Sequence, residues 1–131
     1  MVFVENIPIT VLSDRSLSPL EAICLYLKAQ GLTNHQIAQS VGRDDRTIWT
    51  VINRAKKKRE RNPKPFLSVS DVEVPLSLLK NRVVSALEAI SHFLHAQGLT
   101  YHQIAQLLQR DDRTIWTSVK RYEEKMKEVP A

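Results

Sequence analysis

The sequence repeats itself. Displaced by 67 positions, Ile7–Arg54 falls on Val74–Arg121, and 28 of those 48 pairs are identical. A duplication on this scale constrains the fold more than composition does, because both copies must satisfy one architecture. The matched blocks are NIPITVLSDR with EVPLSLLKNR, SPLEAICLYLKAQGLT with SALEAISHFLHAQGLT, and HQIAQ in both. The octapeptide RDDRTIWT is identical at Arg43–Thr50 and Arg110–Thr117. Past Arg54 and Arg121 the match fades. Each copy spans about 50–60 residues, small for independent stability but within the range of compact helical units. Between them Pro63 and Pro65 exclude a helix and disfavour it at the residues before them. The chain therefore divides into residues 1–60, a basic, proline-containing linker 61–71, and residues 72–131.

Within a copy the apolar period is helical. Ser18 is placed to cap a first helix, Pro19 suits its first position, and Glu21 completes a capping-box pattern. Leu20, Ile23, Cys24 and Leu27 then trace one face, and Gly31 ends the helix. Thr33 opens a short second helix with Ile37, Ala38 and Val41 on its inner face, closed by Gly42. A third helix starts at Asp44 or Asp45 and runs through Ile48, Ile52 and Ala55. Ahead of these helices, IPITVL and VPLSLL read as short strands able to pair with each other. The expected fold class is all-α: two tandem three-helix units, each preceded by a short extended segment.

Ala38, Gly42 four residues on, and Ile48 six after that carry the spacing of a helix-turn-helix. Alanine lets two helices approach, glycine takes the positive φ of the turn, and the later apolar residue plugs the gap. The second copy keeps Ala105 and Ile115 but has Gln109 in place of the glycine, a less ideal turn.

The segment GLTNHQIAQSVGRDDRTIWTVINRAKKK resembles the helix-turn-helix of region four of bacterial sigma factors, whose recognition helix also runs into a basic tail. It is similar as well to the DNA-binding domain of the bacterial replication initiator DnaA, of the Trp-repressor-like kind, where a Gly-Arg-Asp-x-x-Thr-[Val/Ile] motif opens the recognition helix. The resemblance covers roughly 37 residues of each copy and implies double-stranded DNA as partner, with RNA polymerase or another protein as a further one. It also implies that Asp44 and Thr47, which match the initiator's motif, touch base edges. Asp45 and Arg46 depart from that motif, so the sequence preference should differ.

The residues support the same expectation in their own terms. Asp44 can cap the third helix and sit at the positive end of its dipole. With Ile48, Ile52 and Ala55 inward, the outward side carries Arg46, Thr47, Thr50, Asn53 and Arg54. Arginine bonds guanine bidentately, and threonine reaches phosphate or the thymine methyl. Lys56, Lys57 and Lys58 extend the row where a phosphate backbone would lie. The expected DNA-contacting set is Arg43, Asp44, Asp45, Arg46, Thr47, Trp49, Thr50, Asn53, Arg54, Lys56, Lys57 and Lys58. In the second copy it is Arg110, Asp111, Asp112, Arg113, Thr114, Trp116, Thr117, Lys120 and Arg121.

For Trp49 and Trp116, about 100° round the helix from the isoleucines, packing on the first helix or the sister unit is the expected placement, with DNA contact the alternative. His35 and His102 have two readings, as phosphate donors or as solvated surface groups. The plain alternative for the octapeptide is a cap, a core residue and solvated Arg and Thr. Against it stands retention of Arg, Thr, Trp and Thr in both copies while Asn34, Ser40, Gly42 and Val51 have become Tyr101, Leu107, Gln109 and Ser118.

The net charge of +5 favours an anionic partner. Residues up to Phe66 carry 11 bases and 6 acids, the remainder 8 of each, so the first unit should supply most of the salt-sensitive affinity. Adjacent Asp44 and Asp45 point about 100° apart and form no acid/base dyad, and three glycines build no phosphate loop, so no enzyme is expected. No cofactor or metal is expected either: Cys24 is the only cysteine, and no Cys/His spacing fits zinc. Without a signal peptide or a long uncharged apolar run, the expected setting is cytoplasmic or nucleoid-associated rather than membrane. Two near-identical readers imply two related half-sites, about one helical turn or roughly 34 Å apart. Antiparallel pairing of the extended segments would make them inverted. A competing class is a protein-interaction or assembly module, and whether two chains pair further stays open.

Overall fold

The computed structural model describes residues 4–61 and 72–127. The first copy folds as β1 (Asn6–Pro8), a 3-10 turn (Ile9–Ser13), α1 (Pro19–Ala29), α2 (Asn34–Val41) and α3 (Asp45–Arg61). The second repeats the order as β2 (Glu73–Pro75), a 3-10 turn (Leu76–Lys80), α4 (Ala86–Ala96), α5 (Tyr101–Leu108) and α6 (Asp112–Lys127). The protein is all-α with one two-stranded antiparallel sheet. Arg61, assigned to the linker from sequence, is the last residue of α3; the rest of that linker lies outside the described residues.

The helices begin where the capping chemistry demands. The Ser18 hydroxyl accepts from the Glu21 N–H and the Glu21 carboxylate from the Ser18 N–H, with Pro19 in the first turn. Ser85 with Glu88, Thr33 with Gln36 and Thr100 with Gln103 build the same reciprocal box on α4, α2 and α5. The extended segments depart from expectation. Only three residues of each stay extended before the chain coils into a 3-10 turn. In the first turn Ile9, Val11 and Leu12 are buried, in the second Leu76 and Leu79.

Those segments also cross between the copies. Asn6 pairs with Pro75, Ile7 with Val74, and Pro8 with Glu73. Ile7 and Val74 are the equivalent residues of the duplication, so the ladder is centred on a pair related by the repeat, the local signature of a two-fold axis. The Ile9 N–H donates to the Val72 carbonyl at 2.9 Å, and its counterpart, the Leu76 N–H, donates to the Glu5 carbonyl at 2.7 Å. Beyond the ladder the first 3-10 turn packs on α5 and the second on α2, while α1 meets α4 near the axis. One apolar core consequently runs through both copies, from Ile9 and Leu12 to Leu79, Ile90 and Ile104.

Inside each copy a buried carboxylate ties the first helix to the third. Glu21, 6% exposed, accepts from Lys58 Nζ at 2.7 Å while it caps α1, and Glu88 accepts from Lys125 Nζ at 2.7 Å in the same way. Burial raises these two carboxyls, but the lysine hydrogen bond, the serine N–H and the lysine charge together bring both below the usual value of 4.5. The α2–α3 turn passes through Gly42 at φ 70°, with the Lys80 Cα 3.1 Å from where a Cβ would sit. At the equivalent place Gln109 takes φ 56°, left-handed without being glycine.

Three outcomes are expected. Residues 1–61 expressed alone should not unfold as a cooperative monomer, because α2 has lost the turn that covers it; chemical denaturation with sedimentation checks this. Gln109→Gly should raise stability by about 0.5–1 kcal/mol and Gly42→Ala lower it by about 1–2 kcal/mol, read from urea midpoints. Because the folded carboxyls of Glu21 and Glu88 titrate below 4.5, their contribution is complete above that pH and is lost as pH falls through the lowered values. Glu21→Gln with Glu88→Gln should cost on the order of 1–2 kcal/mol per site at neutral pH and flatten the acid limb of the stability curve.

Candidate nucleic-acid interface

The repeated octapeptide divides between groups held inside the protein and groups held out of it. Arg43 is half-buried, its Nη1 donating to the Val41 carbonyl at 2.6 Å and to the Leu79 carbonyl in the 3-10 turn of the other copy. Arg110 mirrors it, donating to Leu12 at 2.7 Å and to Leu17 at 3.0 Å. Expected among the DNA-contacting residues, both are placed elsewhere: their guanidinium groups satisfy main-chain carbonyls across the two-fold. Burial lowers both guanidinium pKa values, and the multiple-donor fork is what allows one side chain to serve two carbonyls.

The acid pair has two separate tasks. Asp44 accepts the Thr47 N–H at 2.7 Å and Asp111 the Thr114 N–H at 2.7 Å, closing the open amino ends of α3 and α6. Hydrogen bonds from the threonine side chain and backbone hold both carboxyls below the ordinary aspartate range. Asp45 meets the His35 Nδ1 at 3.0 Å, and Asp112 the His102 Nδ1 at 3.0 Å, tying the start of the second helix to the start of the third in each copy. These histidines thus have an intramolecular partner, a contact that sequence reasoning did not find. The signal was present: His35 and Asp45 are both retained at the same separation as His102 and Asp112.

Ile48 and Ile115 are fully buried, which turns the next residues outward. Trp49 is 62% exposed and Trp116 49% exposed, so the expected packing of the tryptophans on the first helix or the sister unit is not found. Their offset of one residue from the core isoleucines carries them past the edge of the helix contact. Arg46, Thr47, Arg54, Lys56 and Lys57 are exposed on α3, with Thr50 and Asn53 half-buried in the same row. On α6 Arg113 and Arg121 are exposed, and Thr114, Thr117 and Lys120 half-buried. Among the described residues no hydrogen bond or ion pair engages the Arg46, Arg54, Arg113 or Arg121 side chain, nor Lys56 or Lys57. Lys58 departs from the expected set by binding Glu21, and Arg59 beside it turns back to Asp14 at 3.6 Å.

Two rows of uncommitted arginines, interleaved with threonines, therefore stand on α3 and α6, each helix preceded by a short helix and a left-handed turn residue. That is the geometry of a helix-turn-helix, whose third element enters the major groove. Cys24 contributes no chemistry, since burial pushes its thiol up to about 12. Among the described residues no helix is long and apolar enough to cross a membrane.

Residues 88–127, from the first turn of α4 to the end of α6, match the family described as the homeodomain-like domain. The corresponding stretch of the first copy is residues 21–60. No curated protein and no solved structure matches the chain. Fold and family match agree on a helix-turn-helix of the DNA-binding kind.

Proposed function

We propose that this chain is a transcriptional regulator that binds double-stranded DNA sequence-specifically with both copies at once, α3 and α6 entering successive major grooves. The observation that carries the reading is the pair of uncommitted arginines Arg46 and Arg54, flanking Thr47 and Thr50 and repeated as Arg113 and Arg121 with Thr114 and Thr117, on helices related by a two-fold. Arginines with no intramolecular partner, yet kept in both copies, are what a base-and-phosphate reader requires. A two-fold arrangement of readers calls for inverted half-sites, about one turn of duplex or roughly 34 Å apart. Arg46 and Arg113 are assigned to guanine edges, the threonines to phosphate or thymine methyl, and Trp49 and Trp116 to the sugar-phosphate wall. Arg54, Arg121, Lys56 and Lys57 are assigned to phosphate. Asp44 and Asp111 act as caps, and the proposal includes no catalysis.

A second reading is favoured by one observation: α6 carries Glu123 and Glu124 where α3 carries Lys56 and Lys57. On that reading the second copy docks RNA polymerase or another protein, as the sigma-like resemblance allows, and only the first holds DNA.

Binding to duplex fragments across a salt series tests DNA binding, and a substitution at Arg113 separates the two readings. Paired readers predict a linear fall of log affinity with log salt, and Lys56→Glu with Lys57→Glu should flatten the slope by roughly two units. Arg46→Ala with Arg113→Ala should abolish sequence preference at a cost of about 1–3 kcal/mol per contact while weak nonspecific binding persists. Should Arg113→Ala alone leave specific affinity untouched, the second copy is no reader and the protein-docking reading replaces this one.

A further inference from the structure

The two outward rows differ at one position that faces the proposed groove. Arg46, Thr47, Thr50 and Arg54 recur in α6, whereas Asn53 stands where α6 has Lys120. Seven residues from the row's arginine and three from its second threonine, each lies on the same stripe of its helix. Both are half-buried, so backbone position rather than free side-chain reach decides what they meet. Asn53 makes no side-chain hydrogen bond among the described residues. The Lys120 Nζ lies 3.7 Å from Glu123 and 5.9 Å from the centre of the Trp116 ring.

The two side chains ask for different bases. Asparagine offers an acceptor and two donor hydrogens on one planar amide, matching the amino donor and N7 acceptor on the major-groove edge of adenine. Lysine only donates, matching the O6 and N7 acceptors of guanine. The charge of the whole helices leans the other way, towards α3. Helix α3 carries seven bases and two acids, α6 five bases and three acids.

Resting on the paired-reader function proposed above, we infer that Asn53 and Lys120 determine specificity at one matched position of the two half-sites. The chain accordingly recognises an imperfect inverted repeat, A·T facing Asn53 and G·C facing Lys120, and sits on it in a single orientation. The half-site beneath α3 carries the larger share of phosphate contacts.

Selection of bound duplexes from a random pool tests this with the intact wild-type protein, Asn53→Lys, Lys120→Asn and the double exchange. The expected wild-type site has two inverted halves that differ at one position, and exchanging that base pair in one half costs about ten-fold in affinity. Asn53→Lys should select a site with G·C in both halves, and Lys120→Asn one with A·T in both. The double exchange should restore the wild-type sequence but reverse the protein on it. A cleavage reagent on Arg61→Cys reports that reversal, since buried Cys24 does not compete for the label. Thermal unfolding of each variant establishes that it is folded, and either single exchange suffices if the other fails. A symmetric wild-type site, or selected sites unchanged by both exchanges, overturns the inference while leaving the proposed function standing. Enrichment of no sequence at all overturns the proposed function itself.

Discussion

The arrangement depends on a reciprocal exchange across the two-fold axis. Arg43 reaches the carbonyl of Leu79 in one direction, and Arg110 reaches that of Leu12 in the other. Each guanidinium sits one residue ahead of the acid that caps the third helix of its copy, so the turn that launches α3 is fastened to the arm of the second copy, and that of α6 to the arm of the first. Removing either side chain would leave a carbonyl short of its donor, a cost of about 1–3 kcal/mol. The larger effect is geometric. Hydrogen bonds to main-chain carbonyls and shared apolar packing, rather than the length of any connection, hold α3 and α6 relative to each other.

That arrangement explains why an octapeptide opening on Arg-Asp-Asp survives twice in a basic protein. Its first three residues face three different neighbours: the sister arm, the helix's own amino end, and the histidine of the preceding helix. Ile48 faces the core. Only then do Arg46, Trp49 and Thr50 emerge as surface, on a helix whose other contacts are already made. The acids are thus part of how the cationic row is presented, and their charge is largely answered within the protein.

Much of this was legible in the sequence. The duplication, the capping boxes, the glycine turn and the inward isoleucines are local patterns, and local patterns determine helices of this length. The pairing of the two arms was legible too, but the seating of each 3-10 turn on the other copy's second helix was not, because apolar residues in IPITVL state that they must be covered and not by which copy. Nor was the 3-10 geometry of the turns that follow the strands. Arg43 and Lys58 looked like phosphate ligands by residue type and neighbourhood, and both turned out to have protein partners at long range. For Lys58 a clue existed in Lys125, matched by the same shift after the alignment has faded. Asp14 with Arg59 is replaced by Asn81 with Met126, a charged contact exchanged for a neutral one at equivalent places. Such paired replacements are visible only once the contact is known.

The single-chain two-fold has a consequence for dosage. A reader assembled from separate subunits disappears on dilution, so occupancy of its target rises with the square of the amount synthesised at low abundance. Here both halves arrive on one polypeptide, each at high effective concentration to the other. On the proposed paired-reader function, and with one chain per site, response to copy number is hyperbolic rather than sigmoidal.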